Sequence, residues 1–241
     1  MYPLFIKEIK SFLSSIIGYA SIIVFLISTG VFLWVFPGNN NIIEMGNSSL
    51  VVFFNIAPSI LMFLIPAFTM KLFAEENRAG TIEILMTKPI SIFKIVVAKF
   101  LAGSFLIILT LAPTIVYYVS VYYMGNPTGN IDHASTIGSY LGLILLGMTF
   151  VSIGTFASSL SSNQVIAFLI GLFLCFIFYL GFTFIASIFG NPLDYYMLKL
   201  SMIEHFTSIK RGVIDSRDLV YFLSIILFFL VSTKTVIQHK I

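Results

Sequence analysis

The chain has 241 residues, of which 59% are apolar and only 10% charged, with 26 Phe and a mean hydropathy of +1.04. A soluble domain carries roughly 25% charged residues, so the composition excludes an ordinary soluble enzyme and points to several membrane spans of ~20 residues each. The net charge of +3 comes without any basic run interleaved with aromatics, which speaks against a nucleic-acid surface, and the lone cysteine, Cys175, excludes an internal disulfide.

The N-terminal stretch Met1 to Lys10 lacks a small-residue cleavage site and reads as retained rather than as a signal peptide. Leu4, Phe5, Ile9, Phe12 and Leu13 stand against Lys7, Glu8, Lys10 and Ser11, which predicts an amphipathic helix lying in the interface. The first span is expected at 16–36, closed by Pro37-Gly38, and the second at 51–70, with Asn55, Pro58 and Pro66 but no charge. Two prolines within a span are tolerated where neighbouring helices take up the freed carbonyls.

Segment 73–91 then packs Glu75, Glu76, Arg78, Glu83 and Lys88 into nineteen residues between two apolar runs. Ser91 is a suitable N-cap for the helix that enters a third span at 100–124, with Lys94 and Lys99 on its first turns reaching for headgroups. From Ala134 to Leu193 there is no charged residue, enough for two spans, 137–158 and 164–188, with a turn near Ser158 to Gln164. Cys175 lies in this run and reads as a small buried hydrophobe. In the external segment 191–217, Leu193, Met197, Leu200, Ile203, Phe206 and Ile209 recur by threes and fours, as in a helix lying on or dipping into a membrane. The sixth span is expected at 219–236.

Lys and Arg near the span ends set the orientation. With both termini inside, nine of them fall on the cytoplasmic side and four (Lys199, Lys210, Arg211, Arg217) outside. The expectation is an all-α integral membrane protein of six transmembrane helices, N-in and C-in, forming a single transmembrane domain over 1–241, with segment 73–91 in the cytoplasm.

There is no zinc His-Glu-x-x-His, no Gly-x-Ser-x-Gly elbow, no Cys-x-x-Cys pair and no phosphate-binding glycine loop. On this topology His133 and His205 are outside and His239 inside, so they do not form one metal site. A membrane hydrolase built on Glu75-Glu76 would echo the Glu-Glu-x-x-x-Arg metalloprotease pattern, but Gly80 stands where its arginine belongs. No catalytic residue, metal site or cofactor site is assigned to the chain. Asn77 and Gly80 offer a helix break, and Pro89 disfavours helix at Lys88. That pattern describes a long helix, a short transverse amphipathic helix and a new long helix. Such a helix either docks a cytoplasmic partner or rests on headgroups, and both readings stay open on physical grounds.

Glu75-Glu76-Asn-Arg78-Ala-Gly80-Thr81-Ile-Glu83-Ile-Leu85-Met-Thr-Lys-Pro89-Ile-Ser91 resembles, without a gap, the Glu-Glu-x-x-x-Gly-Thr-x-Glu-x-Leu-x-x-x-Pro-Ile/Val-Ser signature of type-2 ABC exporter permeases. The resemblance extends along the chain, from the Lys-Glu interfacial helix through six spans to a long fifth connection. Within that family it is most similar to the gliding-motility (Gld-type) permease subunits of Bacteroidota, on the strength of His205-Phe206 to Arg211-Gly212-Val-Ile-Asp215 and Asp218-Leu-Val-Tyr221. Permeases for efflux or copper-enzyme maturation are the alternative.

What the resemblance implies is a half-transporter of the bacterial inner membrane. Residues Glu75, Glu76, Arg78, Gly80, Thr81, Glu83, Leu85 and Pro89 would form the coupling segment. His205, Phe206, Gly212, Asp215 and Asp218 would belong to an external re-entrant segment. The implied partners are ABC ATPase subunits, which would bind ATP and Mg in place of this chain, and a second permease subunit, either a larger Gld-type protein or another copy. Membrane lipid surrounds the pair.

Overall fold

In a computed structural model the chain is described over residues 1–38, 41–42, 44, 49–86, 90–188, 193–213 and 215–240, with the side chains of 84–86 and 193 left aside. Every regular element among the described residues is helical. Six helices are long and apolar enough to cross a membrane: Ile16–Trp34, Val51–Ala79, Ile92–Met124, His133–Leu160, Gln164–Ile188 and Ser216–His239.

An amphipathic helix α1 (Tyr2–Leu13) precedes the first span, α2 (Ile16–Trp34). Ser15 caps α2 by accepting the Gly18 N–H. The chain turns so tightly there that a Cβ on Gly18 would lie 2.2 Å from the Phe12 carbonyl oxygen. Helix α3 (Val51–Thr69) runs through Pro58 and Pro66 and passes into α4 (Lys71–Ala79). A six-residue helix, α5 (Thr81–Met86), follows. The third span comprises α6 (Ile92–Leu111), a 3-10 turn at Ala112–Thr114 that takes up Pro113, and α7 (Ile115–Met124). It starts directly after Ser91, the expected N-cap, with Lys94 and Lys99 in its first turns ahead of the uncharged run from 100.

Helix α8 (His133–Leu160) is the axis of the bundle, and most of its residues are buried. Asp132 starts it by accepting the Ser135 N–H. It packs on α3, α4, α6 and on three later helices described next. The fifth span comprises α9 (Gln164–Phe176), a π-helical segment at Ile177–Gly181 and α10 (Phe182–Ile188). Two short helices, α11 (Leu193–Leu200) and α12 (Met202–Lys210), precede the last span, α13 (Ser216–His239), which Asp215 caps.

Small residues decide how closely these helices approach α8. A Cβ on Gly147 would meet Ile107 of α6 at 2.9 Å, and one on Gly154 would meet Thr69 of α3 at 2.0 Å. Gly138 and Gly142, a Gly-x-x-x-Gly pair, face Ile209 and Phe206 of α12. Within lipid, where apolar side chains gain little by leaving acyl chains for one another, such close backbone approach is a main source of helix association.

Candidate functional site

At one end of the bundle four charges meet across three elements. Lys99 of α6 is 1% exposed and donates to Glu8 Oε1 of α1 at 2.9 Å and to the Leu72 carbonyl of α4 at 2.7 Å. Glu76 Oε1 completes its shell at 3.0 Å. Of the three N–H donors of an ammonium, two are bonded to Glu8 and Leu72, and the Glu76 carboxylate stands within ion-pair distance, with the Phe73 ring 5.0 Å from Nζ as an additional apolar wall. Lys7 closes the group, 3.1 Å from Glu76 Oε1 and 3.5 Å from Glu8 Oε1. Two ammoniums and two carboxylates leave the cluster neutral, the condition under which buried charge is tolerated. Burial works against the Lys7 charge, but Glu8 and Glu76 beside it outweigh this and hold its ammonium above the ordinary value. That contribution is therefore complete at neutral pH and is lost only as the pH rises past the raised value.

The sequence pattern puts Glu8 on the polar face of α1 and Lys99 among the headgroups. In the structure Glu8 lies on the buried stripe with Leu4 and Phe12. The signal was present in the spacing: residues 4, 8 and 12 share a helical face. For Lys99 the deciding partner is 91 positions away, and nothing local announces it.

The expected coupling residues divide at this point. Glu75 and Glu76, being adjacent in a helix, point in directions ~100° apart; Glu76 enters the ion cluster while Glu75 remains exposed. Both line a polar cavity of about 280 Å³ with Lys7, Lys71, Thr81 and Lys99. Arg78 is exposed in the last turn of α4. Gly80 ends that helix in the left-handed region, φ 67°, which a residue with a side chain adopts only at a cost. Thr81 and Glu83 are exposed on α5. The Leu85 side chain and Pro89 lie outside the described residues. Behind these residues α4 is fastened to the bundle: Ser158 Oγ of α8 accepts the N–H groups of Phe73 and Ala74 and donates to the Met70 carbonyl. Sequence reasoning missed Ser158, reading it as part of a turn. Lys240, after α13, donates to the Ser159 carbonyl at 2.6 Å, so α1, the α4–α5 break, the end of α8 and the C-terminus share one end of the bundle.

The second expected group lies around α12. His205 and Asp218 are 2.7 Å apart, and Phe206 is buried against Gly142. Gly212, φ 84°, passes so close to Ala134 and Ser135 that a Cβ would be 2.9 Å from the Ser135 N. Asp215 serves as the N-cap of α13, accepting the Arg217 N–H. Ser201, at the start of α12, donates to the Tyr179 carbonyl in the π-helical segment instead of capping its own helix. Tyr179 lies nine residues before the end of α10, and Gly142 nine after the start of α8. At 1.5 Å per residue the α11–α12 hairpin therefore reaches ~13 Å back along both helices. Lys210 at its far end donates to Asn55 Oδ1 of α3.

Five apolar spans thus surround a central small-residue helix, and an ion-paired amphipathic helix precedes the first of them. The model of a family described as ABC-2 family transporter protein matches residues 4–232. The chain belongs to the ABC-2 transporter family. No curated protein matches it. As an ABC-2 protein it is a multi-pass membrane component of a transporter, a transport subunit rather than a catalytic one. The match takes in most of α1 and more than two thirds of α13, so the ion cluster and the α11–α12 hairpin both fall within the family's frame.

Proposed function

We propose that this ABC-2 protein is the permease subunit of an ATP-driven complex, and that a separate ATPase subunit docks on the exposed face of α5. The observation that carries the reading is the left-handed break at Gly80, which directs Thr81 and Glu83 away from a helix firmly tied to the bundle. A docking element transmits force only if its root is stiff. Here the root is held by the Glu76–Lys99–Glu8 cluster and by the Ser158 bonds to α4. Closure of the ATPase pair on ATP and Mg, both held by that partner, would tilt α4 and be felt in α1, α6 and α8 together. The Lys and Arg distribution supports placing this end in the cytoplasm, and with it both termini.

The finer reading is a gliding-motility permease of the bacterial inner membrane, working beside a second, larger Gld-type permease subunit. It rests on the resemblance of the segment from His205 to Tyr221. The external segment would then be re-entrant, closing the outer mouth of the pair.

Glu83→Lys tests the docking. Co-purification of the ATPase and its stimulated ATP turnover are expected to fall at least about tenfold, with membrane insertion unchanged, because a reversed charge at an interface costs several kcal/mol. Unchanged assembly and turnover would sink the docking assignment. Native purification decides the pairing: a second, different permease subunit supports the Gld-type reading, and recovery of this chain as the sole permease opposes it.

A further inference from the structure

The His205–Asp218 pair contains a proton count that its neighbours fix. His205 Nε2 is 2.9 Å from the Lys199 carbonyl, and a carbonyl oxygen only accepts, so Nε2 carries a hydrogen. His205 Nδ1 is 2.7 Å from Asp218 Oδ1, and that contact also needs a proton between its two atoms. A neutral imidazole has one N–H and an ionised carboxylate has none. The geometry therefore requires one proton more than a neutral histidine beside an ionised aspartate can supply. With Asp218 7% and His205 16% exposed, little water is at hand to make up the missing bond. Asp218 Oδ2 is buried and has no hydrogen-bond partner among the described residues.

We infer that His205 and Asp218 form a proton-binding site, and that the bound proton fastens the α11–α12 hairpin to α13. The pair sits at the joint of three elements. Lys199 ends α11, His205 is on α12, and Asp218 is in the first turn of α13. Tyr221, one turn further along α13, stacks on the His205 ring at 3.8 Å and donates to the Leu200 carbonyl. With the proton present, the imidazole bridges the α11 carbonyl and the α13 carboxyl. Without it, a lone pair faces either the carbonyl or the carboxylate, and one of the two links is lost.

The charged and titratable groups around the pair do not supply a substitute. From α13, Tyr221 is committed to Leu200, and Arg217 precedes Asp218 on an exposed position. From α11, the Lys199 ammonium lies over the Tyr195 ring, 4.4 Å from its centroid. On α12 itself Glu204 is exposed. The π-helical segment contributes buried Tyr179, whose carbonyl takes the Ser201 hydroxyl. The titratable groups of α8 face elsewhere, His133 to Tyr118 and Tyr140 to Thr114. The proton thus resides on the pair, exchanging with water on the side of the bundle opposite the ion cluster.

Two measurements on the full chain in nanodiscs test this. The first is a proton count near neutral pH, using nitrogen-15 histidine with His205→Gln for assignment and the carboxyl infrared band with Asp218→Asn for assignment. Either a doubly protonated ring, or a neutral ring beside a protonated carboxyl, is the expected result. The second places a reporter cysteine at buried Met202 in a Cys175→Ala background and follows its reaction with a water-soluble maleimide, normalised to a cysteine at exposed Val213. Labelling is expected to rise with pH as the one proton is lost, by up to about tenfold per unit, towards the rate of His205→Ala. Asp218→Asn is expected to stay flat and slow, because its amide N–H donates to Nδ1 of a neutral ring and both links survive without the extra proton. A neutral ring facing an ionised carboxylate, or a wild-type profile as flat as that of Asp218→Asn, overturns the proposal.

Discussion

Replacing Lys99 by alanine is expected to destabilise the folded protein by about 3–5 kcal/mol, the cost of removing one partner from a buried ion pair. The substitution leaves Glu8, 8% exposed, and Glu76, 13% exposed, facing one another with Lys7 as the remaining cation. Lys7 is 61% exposed and reaches both carboxylates only from the rim. The Leu72 carbonyl loses its donor as well. Lys99→Met keeps most of the volume and is expected to cost nearly as much, since the unpaired carboxylates remain. Adding Glu8→Gln to Lys99→Met should recover part of the loss, because the charge that had become uncompensated is gone. The thermal midpoint of the purified protein reads this directly. A loss below about 1 kcal/mol, the scale of a solvated surface pair, would show that the cluster carries no structural load.

The second large effect is steric. Gly154→Leu is expected to prevent assembly of the bundle, and Gly154→Ala to cost about 1–3 kcal/mol, as overpacking of a close-packed core does. The reason is the crossing of α8 and α3. A Cβ at residue 154 would lie 2.0 Å from Thr69 Oγ1 and 2.9 Å from Thr69 Cβ. The threonine cannot turn aside freely, since it is fully buried and its hydroxyl is bonded to the Ile65 carbonyl at 2.8 Å. Thr69→Ala in the Gly154→Ala background removes the nearest atom and should restore part of the loss. Gly30→Ala is the control: its Cβ would meet only the Tyr117 hydroxyl, at an ordinary 3.4 Å, while alanine favours helix by up to ~1 kcal/mol. The yield of monodisperse protein and its thermal midpoint separate the two sites. Equal tolerance at 30 and 154 would contradict the tight crossing.

The spans were legible because hydropathy is a local property and the bilayer fixes its length scale. Gly80 and the short helix after it were legible for the same reason: a turn-forming residue between amphipathic stretches announces itself. The ion cluster was not. Lys99 sits in an apolar run at the distance from the helix start where a lysine ordinarily snorkels, and only the presence of α1 against α6 shows why it does not. Glu75 and Glu76 look equivalent in the sequence, and their separation into an exposed and a paired carboxylate follows from which side of α4 faces α6. The apolar stripe Leu4–Glu8–Phe12 held a usable hint, since a carboxylate in such a stripe calls for a buried cation. Gly138 and Gly142 held another, their spacing marking a close helix contact, although the partner they accept, α12, lies far along the chain.

The cluster also has a history. Glu8 leaves the ribosome 91 residues before Lys99, and Glu76 lies between them. When the first two spans are already threaded, α1 still has no cation from the third with which to neutralise Glu8, so it must wait at the water boundary. The third span in turn enters with a lysine whose counter-ions sit on parts made earlier. The seating of α1 thus draws on a partner that is synthesised last of the group. Nascent chains cut short of Lys99 would carry a loose amino-terminal helix, open to quality-control proteases that the finished protein denies.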